Sequence, residues 1–143
     1  MVAIRSTRLG DLEVDDANIV YFDEGILGFS EFKQYAWLSS NASDSAIELL
    51  QSKDEKNLTF IITDPFLFEM NYSFDLSEEW KQKLEISQLE QAAVRVIVTA
   101  RDDNFTTINL KAPIIVNRET KQAAQVVLDG PEYPLQHPIG GGQ

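Results

Sequence analysis

Two β-type runs broken by a proline, residues 106–110 and 114–116 around Pro113, constrain the fold more than any other part of this chain. Thr106, Thr107 and Ile108, then Ile114, Ile115 and Val116, are β-branched; such side chains are stiff and suit a pleated, half-buried surface. Pro113 has no N–H to give to a ladder, so it predicts an edge, a strand start or a bulge. Asn117-Arg118-Glu119-Thr120 reads as a turn, and residues 124–128 as a strand coming back. The stretch is a hairpin preceded by an irregularity. No catalytic constellation is visible in it, which points toward a binding module.

The same short-strand grammar runs through the rest of the chain. Residues 2–7 and 12–14 flank Leu9-Gly10-Asp11, a hairpin turn. Residues 18–22 form a third run, followed by Gly25 and Gly28 among apolar neighbours, a compact structural loop needing special backbone angles. Residues 35–39 and 47–51 read as strands around a polar linker at 41–44. Residues 58–63 read as a buried strand, stopped at Asp64-Pro65 because proline restricts its predecessor. Residues 94–100 form another, with a turn at 101–104. One helix stands out: Asp75 or Ser77 caps it, Glu78 and Glu79 suit its N-terminal dipole, and Lys81 and Lys83 follow. Leu76, Trp80 and Leu84 share its apolar face. Residues 89–93 either continue it or form a short turn. Nine or ten strands with one inserted helix predict a mainly β fold, a compact β-barrel-like domain or sandwich. The expected organisation is one domain over residues 1–136 and a flexible tail over 137–143.

A chain of 143 residues suits such a single core. It has no cysteine, which excludes disulfides and thiolate metal sites. Its apolar runs are too short to span a bilayer, and residues 1–6 lack the pattern of a secretory signal, so a cytoplasmic location is expected. The formal net charge of −11 disfavours direct binding to nucleic acid or anionic lipid and favours basic protein partners. Such acidity also serves solubility alone.

Catalytic chemistry is hard to find. The single histidine, His137, stands beside a proline in the expected loose tail, poorly placed for a triad. The carboxylate pairs Asp15-Asp16, Asp23-Glu24, Glu78-Glu79 and Asp102-Asp103 are explained by turns, caps or strand alternation rather than by a glycosidase cleft. Asp102-Asp103-Asn104 lacks the spaced ligands of a calcium loop. Gly25-x-x-Gly28 lacks the third glycine of a dinucleotide fingerprint, and Gly140-Gly141-Gly142 has no lysine or helix after it. No catalytic residue, metal or cofactor is therefore expected. The aromatics are more suggestive: Phe66, Phe68, Met70, Tyr72 and Phe74 alternate after Asp64-Pro65. On an extended strand they would share one face, with Glu69 and Asn71 opposite. That face is either core or, near the proline, an exposed groove for a partner. On the second reading Phe66, Phe68, Glu69 and Tyr72 form a partner surface beside Asp64-Pro65, and Asn109 and Pro113 shape a neighbouring edge.

Taken in order, these motifs resemble the FliW family of bacterial flagellar assembly factors. The matching pieces are Phe22 with Gly25-Ile26-x-Gly28-Phe29, Leu50-Gln51-Ser52, Phe60 through Asp64-Pro65, Tyr72, residues 94–98, Asn109-Leu110-x-Ala112-Pro113-Ile114 with Asn117, and Ala124-Gln125 before Val126. They cover roughly residues 3–135. Asp23 and Leu27 stand where the family often has prolines, and Asn71 where an acid commonly precedes the tyrosine. The resemblance implies a cytoplasmic, non-enzymatic β-barrel-like protein, monomeric when free. It implies binding of newly made flagellin and of CsrA, an RNA-binding translational repressor. When flagellin is scarce the protein would capture CsrA and relieve repression of flagellin messenger RNA. The alternatives are a chaperone for flagellin alone and a small-ligand β-barrel using the same aromatics as a pocket.

Overall fold

A computed structural model describes residues 1–39, 46–100, 106–129 and 132–139. The linker expected at 41–44, the turn at 101–104 and the glycines at 140–142 lie outside the described residues. Seven strands close into a barrel: β3 (Ile19–Phe22), β4 (Gln34–Ser39), β5 (Ile47–Ser52), β6 (Thr59–Thr63), β7 (Ala92–Ala100), β9 (Ile114–Asn117) and β10 (Gln122–Gln125). Neighbours are antiparallel except β10 with β3, which run parallel and join the two ends of the chain's sheet. The barrel closes because β7 pairs with β6 along one edge and with β9 along the other. The hairpin β1 (Val2–Ser6) and β2 (Gly10–Val14) lies outside it, and β8 (Thr106–Ile108) pairs with β11 (His137–Ile139).

The proline-broken stretch now has a physical explanation. β8 pairs with β7 through Val98 to Ala100, and β9 pairs with β7 through Ala92 to Arg95. Both are antiparallel to β7, so they form one interrupted strand along the same edge. Residues 109–113 loop out between them. Asn109 Oδ1 accepts the N–H groups of Lys111 and Ala112 at 3.1 and 3.0 Å, which holds the loop as an Asx turn. The Pro113 and Lys111 carbonyls accept Val126 N–H and Leu128 N–H. The return strand therefore begins at Gln122, two residues before the expected start, and its pairing with the loop persists to Leu128.

Inward-facing side chains from all seven strands fill the barrel: Val20 and Phe22, Tyr35, Leu50, Ile62, Ala93, Ile114 and Val116, and Ala123. Their strand pairings agree with one shared face: Val20 opposes Tyr35, Ala93 opposes Val116, and Ala123 opposes both Val116 and Phe22. Phe22, Tyr35, Phe60 and Phe29 form a chain of tilted and edge-on rings with centroids 5.3–5.9 Å apart. The glycine loop closes one end. Gly25 and Gly28 both have positive φ, and a Cβ on Gly25 would meet the Ser30 Cα at 2.5 Å. That backbone path carries Ile26 into the core, where it is 1% exposed.

Two outer layers cover the barrel. The hairpin packs Ile4 and Val14 on Ile19 and Ala36. The other layer covers β7 and β9 with the helix and the segment before it. Ser77 caps α1 (Glu78–Lys83), its Oγ accepting Trp80 N–H at 3.2 Å. Leu76, Trp80 and Leu84 pack on the outer core, as their spacing predicts. Residues 89–91 form a separate short turn. Buried Asn117 ties this layer to the barrel. Its Nδ2 donates to the carbonyls of Leu84 and Glu85, and its Oδ1 accepts Glu119 N–H and Thr120 N–H. The chain end corrects one expectation: His137 is in no loose tail, because His137, Pro138 and Ile139 pair with Ile108, Thr107 and Thr106.

Candidate functional site

The aromatic segment does not form the extended strand that its alternation predicts. Asp64 Oδ1 accepts Phe66 N–H at 2.9 Å, and Pro65 starts a 3₁₀ turn, Pro65–Leu67. This is helix-start chemistry: a capping carboxylate followed by a proline whose missing N–H would have no partner anyway. Phe68 N–H and Glu69 N–H both donate to the Pro65 carbonyl, and Tyr72 N–H to the Glu69 carbonyl. The coiled path splits the residues expected on one face. Phe66, Leu67, Phe68 and Met70 turn outward, from 40% to 86% exposed. Tyr72 turns inward and is 2% exposed.

Tyr72 anchors the segment. Its Oη donates to the Leu110 carbonyl at 2.6 Å, inside the loop between β8 and β9. Its ring meets Tyr133 at 4.6 Å, Phe74 at 5.5 Å and Phe66 at 5.8 Å. Burial, with a smaller contribution from Tyr133, holds the Tyr72 phenol well above its ordinary range. Tyr72 and the 109–113 loop are thus joined by this bond. Asn109 and Pro113 themselves are half-buried and buried, and they shape backbone rather than an exposed edge. Glu69 is half-buried.

Between this segment and α1 lies a groove of about 610 Å³ on the outside of the barrel. Phe66, Tyr72 and Phe74 make one wall, Leu76, Lys81 and Ile86 the other, and Val94 and Ile115 the floor. Asp64, Asp75, Arg95 and Arg118 supply charge along it. Arg95 is not free: its Nε sits 2.7 Å from Glu48, and its guanidinium lies 5.3 Å from the Trp37 ring centre. Lys81 pairs loosely with Glu78 at 3.5 Å. Beside the helix, Lys83 reaches Glu24 at 3.3 Å, and that hydrogen bond and charge raise its pKa. Among the described residues, no group of three or more histidines and acids is placed to hold a metal ion, and no helix is long and apolar enough to cross a membrane.

Phe66 and Tyr72 line the groove together, their ring centres 5.8 Å apart, and Phe68 is exposed two residues on from Phe66. Asn109 and Pro113 belong to the loop whose Leu110 carbonyl Tyr72 bonds. Sequence reasoning missed Leu67 and the far wall, Leu76 and Ile86. The Asp64-Pro65 pair was the available signal, since capping followed by proline favours a helical turn over a strand. An apolar rim beside an open groove suits the holding of a protein segment.

Comparison with known proteins finds relatives over most of the chain. The family model described as FliW protein matches residues 3–139. A flagellar assembly factor FliW of Bacillus subtilis is 42% identical over 133 residues, covering 92% of each chain. That of Ruminiclostridium cellulolyticum is 38% identical over 137 residues, covering 95% of this chain and 93% of its own. A crystal structure of the flagellar assembly factor FliW superposes with a TM-score of 0.86 at 34% identity, covering 95% of both chains.

Proposed function

The chain belongs to the FliW family of flagellar assembly factors, and from that premise we propose that it works by holding flagellin and CsrA rather than by catalysis. In this reading the free protein is a cytoplasmic monomer. Scarce flagellin leaves it free to capture CsrA, which releases flagellin messenger RNA for translation. Accumulating flagellin occupies it and lets CsrA repress again. Competition of this kind needs only mass action between binding equilibria. The net charge of −11 would speed encounter with a basic RNA-binding partner, without any need for direct nucleic-acid contact.

The observation that carries this reading is the outward apolar rim of Phe66, Leu67, Phe68 and Met70 beside the groove. Contiguous exposed apolar residues are costly to leave in water and commonly mark protein contacts. We assign Phe66, Phe68 and Glu69 to partner contact, and Tyr72, Asn109 and Pro113 to shaping the surface that presents them. Titration of the full chain with purified flagellin and with purified CsrA tests it. Phe68→Ala or Glu69→Lys should weaken at least one partner about tenfold, a hot-spot-sized loss. CsrA affinity should fall as salt is raised, because steering by opposite charge is screened. Unchanged affinities with both variants folded would remove the site. Binding of flagellin with none of CsrA would leave a flagellin-only chaperone.

A further inference from the structure

We propose that the edge of β8, with the aromatic wall beside it, is a docking site for an extended peptide, and that residues 132–139 of this chain occupy it as a displaceable strap. Among the described residues, the strap is seated by partly buried Tyr133 and Ile139 on the outer core and by a few polar contacts. Tyr133 Oη accepts Ser73 N–H at 3.0 Å and donates to the Ser73 carbonyl at 2.9 Å, a reciprocal clasp at the groove's rim. Leu110 N–H donates to the Pro134 carbonyl at 3.1 Å. Among the described residues, the strand pairing that follows joins three residues of each segment.

Three features make this hold reversible. Pro138 sits in the middle of β11 and contributes no N–H to the ladder. Leu135, the apolar residue between clasp and strand, is 60% exposed. The clasp itself is solvent-exposed, where such bonds contribute least. What the strap covers is of the opposite character: Tyr72, Ile108 and Leu110 are at most 2% exposed. Releasing it would bare an aromatic ring and the unpaired backbone groups of β8. An open strand edge of that kind is a template for any extended segment. The strap shows the chemistry that fits: an aromatic residue for the Tyr72 ring, followed by a short antiparallel strand.

The coupling of this site to partner capture rests on the groove reading above, so the test separates the two. Because the chain has no cysteine, Thr106→Cys with Ile139→Cys introduces one thiol pair only. These residues face each other across β8 and β11, and antiparallel partners lie about 4.5–5.5 Å apart at Cα, within disulfide reach. The probe is a labelled synthetic peptide with the sequence of residues 132–139. Full-length Tyr133→Ala should bind it at least tenfold tighter than the unaltered chain, and its amides at 106–108 should exchange at least tenfold faster. The oxidised cysteine pair should abolish binding, and reduction of the same sample should restore it, which excludes misfolding as the cause. No peptide binding by folded Tyr133→Ala, or equal binding by the oxidised and reduced pair, overturns the proposal. If the lock blocks the peptide but leaves flagellin and CsrA affinities unchanged, the docking site stands and its link to the groove falls.

Discussion

The barrel interior and the outer groove are built from the same residue types, yet one is sealed and the other open. Inside, seven strands contribute side chains at period two, and the Phe22 and Tyr35 rings are fully buried. Outside, the segment from Asp64 to Leu76 has its own short turns, and its buried residues are Pro65 and Tyr72. The contrast is sharpest between two tyrosines. Tyr35 is fully buried in the barrel, and its Oη has no hydrogen-bond partner among the described residues. Tyr72 is buried beneath the groove and bonded to the Leu110 carbonyl. Shape complementarity alone holds the first, whereas a specific polar contact positions the second. A closed barrel tolerates an unpaired hydroxyl because its packing is overdetermined. A lone surface segment needs a directional bond to fix where its rim points.

Substitutions can break or sharpen this contrast. The largest effect should come from Phe22→Ala, which empties ring volume from the barrel and should cost about 3–5 kcal/mol in urea unfolding. Gly25→Ala should follow, at roughly 2–4 kcal/mol. It combines a positive φ with a Cβ placed against the Ser30 backbone, which has no flexible end to move aside. Tyr72→Phe should cost about 1–2 kcal/mol, because the Leu110 carbonyl is left buried without its donor. Hydrogen exchange of the same variant should show loosened groove-rim amides.

Tyr35→Phe should change stability by no more than about 0.5 kcal/mol at neutral pH, since no bond is lost. Its effect belongs at alkaline pH. Burial raises the Tyr35 pKa from 10.0 to about 12, so the folded chain keeps a proton that the unfolded chain gives up. Stability should be level below pH 10 and fall as pH rises toward 12, and the phenylalanine variant should fall less steeply. Should the slope be identical in both, the tyrosine does not ionise on unfolding as the structure requires. Smallest of all in stability should be Phe68→Ala, within about 0.5 kcal/mol, because the ring is exposed. Its expected consequence is in partner affinity alone.

Much of the local structure was legible because its causes are local. Ser77, the paired glutamates and the spacing of Leu76, Trp80 and Leu84 define a helix within one turn of its own residues. Gly25 and Gly28 announced a loop with special angles, and both have positive φ. The aromatic segment misled because alternation of residues 66–74 fits a strand, while Asp64-Pro65 starts a turn. Capping chemistry won over periodicity there, since among the described residues no strand pairs with 66–74. Asn109 and Pro113 carried a signal of irregularity that was real. In the structure they belong to the loop that interrupts one long strand along β7.

The amino-acid order determined by itself a mainly β chain, its turns, its one capped helix and its acidic charge, because each depends on a few adjacent residues. Only the tertiary structure decided that β7 holds β6 and β9 on opposite edges and that β10 meets β3 to close the barrel. It alone turned Tyr72 inward, Phe68 outward and His137 onto β8. Those outcomes join residues tens of positions apart. Their faces are set by which edges remain open once the core has packed, and no local pattern carries that information.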